Sequence, residues 1–232
     1  MPGGVISAAL IGGYKAADVA GPGLSFVDLT STAYGIRTNT VTPAPAGIAN
    51  DDILLLVQLT GDGSNPPPAA TPPTGFIEIG TEFVSAPPNH DGFNMRVRTF
   101  YKRAASESGD YTSTHVSTTS QSLMVAYRGV DWATGPFDAT ETSNSGNGVT
   151  RTWTGLTTVT ANTMLVALAY DWGDSTNDLA PPSGMTERLD TLLLYAADEL
   201  VAGVGATGNR VHANNARSVS PWGARLIALR PA

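Results

Sequence analysis

Four apolar runs organise the chain. They are Ile53-Leu54-Leu55-Leu56-Val57-Gln58-Leu59, Leu123-Met124-Val125-Ala126-Tyr127, Met164-Leu165-Val166-Ala167-Leu168-Ala169-Tyr170 and Leu226-Ile227-Ala228-Leu229. Each is too short for a typical helix, and the first is bounded by Asp51-Asp52 and by Gly61-Asp62-Gly63, so buried strands are expected. Other segments alternate. Met95 to Lys102 puts Arg96 and Arg98 on one face and Val97 on the other. Gly148 to Thr154 places Val149, Arg151 and Trp153 together, opposite its threonines. Tyr111 to Val116 is β-prone but polar. The strongest helical signal, Tyr195-Ala196-Ala197-Asp198-Glu199-Leu200-Val201, reads as a strand edge that could carry a helical turn. Pro66-Pro67-Pro68, Pro72-Pro73, Pro87-Pro88 and Pro181-Pro182 mark loops, because proline cannot donate to a β-ladder.

The pattern also repeats. Asn50-Asp51-Asp52-Ile53-Leu54-Leu55 resembles Asn162-Thr163-Met164-Leu165-Val166, an Asn50 to Asn162 offset of 112 residues. Pro72-Pro73-Thr74-Gly75-Phe76 matches Pro181-Pro182-Ser183-Gly184-Met185 at an offset of 109 residues. Gly109-Asp110 corresponds to Gly208-Asn209. Leu123-Met124-Val125-Ala126-Tyr127-Arg128 corresponds to Arg225-Leu226-Ile227-Ala228-Leu229-Arg230. A unit of this size exceeds a solenoid repeat. A half of about five strands would leave an apolar face bare if it stood alone. The expected architecture is therefore all-β: a two-sheet antiparallel β-sandwich of jelly-roll type, built from two pseudo-repeated, interleaved halves. The half-repeats are expected at about 40–130 and 149–232, within a single sandwich over 23–232. Residues 1–22 are expected to be an N-terminal arm or extra strand.

Composition narrows the function. Charged residues are only 14% of the 232, the net charge is −7, and hydrophobic residues reach 41%. Such a surface does not attract phosphate backbones or anionic lipid, so no nucleic-acid or membrane partner is expected. Cysteine is absent, which leaves stability to the core or to assembly. The N-terminal apolar stretch has no basic residue before it, and Lys15 follows it, so no secretory signal is expected.

Candidate chemistry is sparse. No cysteine nucleophile and no Gly-x-Ser-x-Gly elbow occurs. His90 lies in a turn, while His115 and His212 fall at roughly equivalent repeat positions on polar strands. A metal pair is one reading of those two; partly exposed strand residues are the plainer one. Glu78 with Glu82, and Glu187 with Asp190, are carboxylate pairs without a glycosidase signature. Asp171, Asp174 and Asp178 sit in an oxygen-rich Asp171–Asp178 segment after a buried strand, a weak calcium candidate that also reads as plain turn chemistry. Trp132 and Trp172, in loops or at strand ends, are candidates for a sugar platform or a subunit interface, and can equally close the sandwich ends. No catalytic residue, resident metal or cofactor is expected, and the chain is not read as an enzyme.

The series ANDDILLLVQL, PPTGF, FYKRAASESGDYT, MVAYRGVD, PFDA, NTMLVALAYDWGD, PPSGMTER, GATGNRV and PWGARLIALRP resembles a phage-encoded jelly-roll module of the capsid cement or head-decoration type, over roughly residues 45–232. The resemblance implies a virion structural protein, assembled in the bacterial host cytoplasm. Its implied partners are the major capsid protein or other virion proteins, and it implies a homo-oligomer, a trimer above all. The alternative is a carbohydrate-binding or host-recognition module of a tail or adhesin.

Overall fold

The computed structural model describes residues 23–85, 94–171, 180–191, 193–213 and 220–232. The expected arm over 1–22 lies outside them. All regular elements among the described residues are strands. In the first half these are β1 (Ser25–Ser31), β2 (Gly35–Thr42), β3 (Ile53–Asp62), β4 (Ile77–Glu78), β5 (Phe83–Val84), β6 (Asn94–Arg103) and β7 (Tyr111–Arg128). In the second they are β8 (Thr142–Gly148), β9 (Thr150–Trp153), β10 (Thr157–Thr158), β11 (Thr163–Asp171), β12 (Thr186–Asp190), β13 (Leu194–Val201), β14 (Gly205–Ala206), β15 (Arg210–Ala213) and β16 (Ser220–Leu229).

Two antiparallel sheets form the centre. The first runs β1-β7-β3-β6-β4, the second β8-β16-β11-β13-β12. Reading across gives the same order twice: β1 corresponds to β8, β7 to β16, β3 to β11, β6 to β13 and β4 to β12. The repeat is therefore structural, and it reaches further toward the N-terminus than residue 40. The β-sandwich expectation holds. The jelly-roll order and the interleaving do not follow from this pairing: each sheet is drawn from one contiguous half, and no named strand of either half crosses into the other's sheet. The segment with the strongest helical signal lies in β13, which pairs with β11 on one side and β12 on the other. It is an inner strand, not an edge. Non-local pairing of its buried Ala196 and Ala197 overrides local propensity.

Both faces of each sheet are covered, which explains continuous apolar runs in antiparallel strands. Ile53, Leu55, Val57 and Leu59 point inward and meet Met164, Val166, Leu168 and Tyr170 in one core between the sheets. The alternate residues Leu54 and Leu56 face outward, as do Leu165 and Ala167. A ribbon caps each outer face. In the first half β2 pairs with the N-terminal part of β7, and Tyr111 joins the cluster around Leu54 and Leu56. In the second half β9 pairs with β15, and Trp153 joins the cluster around Leu165 and Ala167.

Turn chemistry repeats with the strands. Gly75 and Gly184 both take positive φ, at 86° and 89°, in the Pro-Pro-x-Gly turns, a conformation that penalises a Cβ. Phe76 N–H donates to Pro73 O and Met185 N–H to Pro182 O, and each turn delivers its apolar residue onto its own outer cluster. Asp51 (φ 72°) and Asn162 (φ 60°) lie in the turns just before the two central strands β3 and β11. This fixes Asp51 against Asn162, one residue away from the pairing of Asn50 with Asn162 that the strings suggest.

Candidate interaction site

Trp132 lies in the turn after β7, at one end of the sandwich. Its indole N–H donates to Asp51 O at 2.7 Å, and the Arg103 guanidinium covers its ring at 5.3 Å from the centroid. Arg103 also donates to Asp51 Oδ1 at 2.8 Å. Beside it, buried Asp52 accepts from Arg128 Nε at 2.9 Å and Nη2 at 2.8 Å, and from Ala49 N–H at 2.8 Å. The final residue joins this knot, with Ala232 N–H donating to Gly129 O at 2.9 Å. A groove of about 590 Å³ runs between the Asn50–Asp52 turn, Trp132 and Ala232. The tryptophan spends one ring face and its N–H inside the fold, so it closes the sandwich end, with the groove beside it open to solvent. Trp172, Asp174 and Asp178 lie outside the described residues.

Asp171, the remaining calcium candidate, ends β11 and is buried. It accepts from Arg151 Nε at 3.1 Å and Nη2 at 2.8 Å, so its carboxylate faces a cation under the β9–β15 ribbon. Among the described residues no group of three or more His, Asp or Glu is arranged to hold a metal. His115 and His212 are not a symmetric pair. The ribbon register sets His212 opposite Arg151, and Ser113 opposite Thr40, so the counterpart of buried His212 is Ser113, two residues before His115. Glu78 and Glu82 do not share a strand: Glu78 in β4 takes a two-bond grip from Arg98, at 2.8 and 2.6 Å, and Glu82 pairs with Arg96 at 3.4 Å. Arg98 holds the Glu78 carboxyl below its ordinary value. Glu187 and Asp190 lie in β12.

A second opening was not read from the sequence. Between the β4–β5 edge of the first sheet and β8 of the second lies a crevice of about 350 Å³. Thr81, Glu82, Phe83, Ser143, Ser145, Tyr170 and Arg225 contribute to its walls. Arg225 reaches from the second sheet to the first, donating from Nη1 to Ile79 O and from Nη2 to Thr81 O. Tyr170 lies against Phe83, ring centroids 4.8 Å apart, and burial pushes its hydroxyl up to about 12 against the opposite pull of Arg225. The signal was visible in the repeat: the aligned strings set Arg225 against Leu123.

The chain matches no family model, no curated protein and no solved structure.

Proposed function

We propose that this chain is a structural component of a bacteriophage particle, a capsid cement or decoration protein that adds contact area between neighbouring shell subunits. The motif series running from ANDDILLLVQL to PWGARLIALRP supports the phage origin. The observation that carries the mechanical role is where apolar residues remain exposed. On the β2–β7 ribbon, Ile36 is 77% and Val116 64% exposed, and Val41 further along β2 is exposed as well. Several carboxylates, by contrast, are spent inside the fold, as in Arg128–Asp52, Arg151–Asp171 and Arg230–Asp138, where the Asp is buried in each case. A double sheet with exposed apolar side chains on an otherwise polar ribbon suits attachment to the major capsid protein and self-association as a trimer.

Immunogold electron microscopy of phage particles from the source culture, with antibody raised against the recombinant chain, tests this. Regular label over heads is the expected result. Label confined to tail tips, or none on particles, overturns it in favour of a host-recognition module. Light scattering after size exclusion is expected to give about three times 24.0 kDa. The carbohydrate-binding reading has one observation in its favour, the polar crevice at Arg225.

A further inference from the structure

The crevice at Arg225 is the place where the two halves stop matching. Strand registers pair Leu59 with Gln121 and Val57 with Leu123 in the first sheet. They pair Tyr170 with Gly223 and Leu168 with Arg225 in the second. Three neighbouring inner positions therefore change together: Leu59 becomes Tyr170, Gln121 becomes Gly223, and Leu123 becomes Arg225. The changes fit one another, since a side chain at Gly223 would run into the Tyr170 ring. Leu123, fully buried, shows that an aliphatic side chain satisfies this position.

Arg225 is only 2% exposed, and its Nε has no hydrogen-bond partner. Among the described residues it forms no ion pair. Glu82, on the crevice wall, is paired with Arg96, and Glu141 comes close to the guanidinium on the Gly80 side without forming an ion pair with it. Arg225 also acts on Glu78, but its direct partners are the backbone carbonyls of Ile79 and Thr81. No described carboxylate is therefore in ion-pair contact with this buried cation, an arrangement that is costly unless an anion completes it. Around the same opening the hydroxyls of Thr81, Ser143, Ser145 and Tyr170 make no hydrogen bond among the described residues. One cation, four free hydroxyls and an adjoining aromatic pair make a surface for a ligand with a single negative group and several hydroxyls.

We propose that this crevice binds a small acidic saccharide, with its carboxylate on Arg225 and its hydroxyls among Ser143, Ser145 and Tyr170. The volume of about 350 Å³ suits one sugar ring. The inference stands on this geometry and is independent of where the protein sits on a particle.

Isothermal titration of the full chain, at constant ionic strength, tests it with three probes: sodium glucuronate, glucose and inorganic phosphate. Saturable glucuronate binding, with none for glucose over the same range, is expected. Phosphate should compete weakly, because it offers an oxyanion without the hydroxyls. Two variants locate the site. Arg225→Leu restores the side chain of the first half, and Ser145→Phe blocks the mouth from an exposed position on β8; each is expected to weaken glucuronate binding at least tenfold. Should Arg225→Leu fail to fold, Ser145→Phe still decides. The absence of saturable glucuronate binding overturns the proposal. So does binding of phosphate alone, or affinity left unchanged by Ser145→Phe or by a folded Arg225→Leu.

Discussion

The two halves share one strand order and fill it with different chemistry. Under the first ribbon the packing is small and hydroxyl-rich: Thr40 Oγ1 meets Ser120 Oγ at 2.8 Å, and Thr42 Oγ1 meets Ser122 Oγ at 2.7 Å. The corresponding positions of the second half hold Arg151, Trp222, Trp153 and Ala224. There the ribbon is fixed by the buried Arg151–Asp171 pair and by the Trp153 indole, which donates to Leu168 O at 2.8 Å. One backbone arrangement thus tolerates either many weak neutral bonds or a few strong ones beside large aromatic surfaces. The two solutions should fail differently. Hydroxyl pairs lose little when one partner goes, whereas a buried ion pair leaves a naked charge.

The largest effect is expected at that pair. Arg151→Leu should cost about 3–5 kcal/mol, because buried Asp171 then loses its cation, while Thr40→Val at the equivalent position should cost only about 1 kcal/mol. Urea denaturation of both variants gives the comparison directly. Similar losses in the two halves would mean that the ion pair is solvated and the contrast false.

Next comes Gly223→Gln, which writes the first half's residue into the second. Its Cβ meets the Tyr170 ring, so overpacking should cost about 1–3 kcal/mol. Pairing it with Tyr170→Leu, the other first-half residue, should recover most of that loss. Failure of the double variant to recover would show that the two positions are not exchanged as a unit.

Much of this arrangement is legible in the sequence, for physical reasons that differ from place to place. The Pro-Pro-x-Gly turns are local: φ near −65° at proline and positive φ at glycine leave the chain little choice, and Gly75 and Gly184 match. Strand pairing is not local. Because Leu54 and Leu55 both read as apolar, periodicity cannot say which face meets the other sheet, and so the assignment of each half to its own sheet was hidden. Trp132 was recognisable as an end-of-sandwich residue, but the Arg103 that covers it lies on a different strand, 29 positions earlier. Arg225 could have been found as the mismatch in an otherwise apolar repeat, which is the cheapest sequence signal for a site on a pseudo-symmetric fold.

A stabilising change is expected in the first half. Gln58 is buried on the outer face, and both its amide atoms lack partners, whereas the second half places Ala169 there. Gln58→Leu should raise stability by about 1–2 kcal/mol by removing a desolvated amide. Destabilisation would mean that the amide holds a bound water, as a polar cavity of sufficient size permits.

A smaller contrast lies at the strand ends, where Arg128 pairs with Asp52 inside the first half, but Arg230 pairs with Asp138 from the segment between β7 and β8. For Asp138, burial pushes the carboxyl up, and hydrogen bonds from the Thr160 side chain and the Val159 and Thr160 N–H groups, with Arg230, outweigh it, leaving the group below its usual 3.8. A carboxyl depressed in the folded state adds stability that is present above its unfolded value and is lost as pH falls through the folded one. Melting curves between about pH 6 and pH 3 should therefore show a loss beginning near pH 4, and Asp138→Asn should flatten it while lowering stability at neutral pH. An unchanged acid slope would place the loss on other carboxylates.

The smallest effect separates the two turns that start the central strands. Asp51 and Asn162 both hold positive φ, so glycine relieves backbone strain at either site. At Asn162 only the greater freedom of glycine in the unfolded chain opposes that gain, and Asn162→Gly should shift stability by no more than a few tenths of a kcal/mol. Asp51 also carries the exposed Arg103 pair, and removing that carboxylate frees the guanidinium covering Trp132. Asp51→Gly should therefore come out near zero in stability, yet change Trp132 fluorescence, because the indole loses part of its cover. Identical fluorescence in the two glycine variants would mean that Arg103 stays on the ring without Asp51, held by the cation–π contact alone.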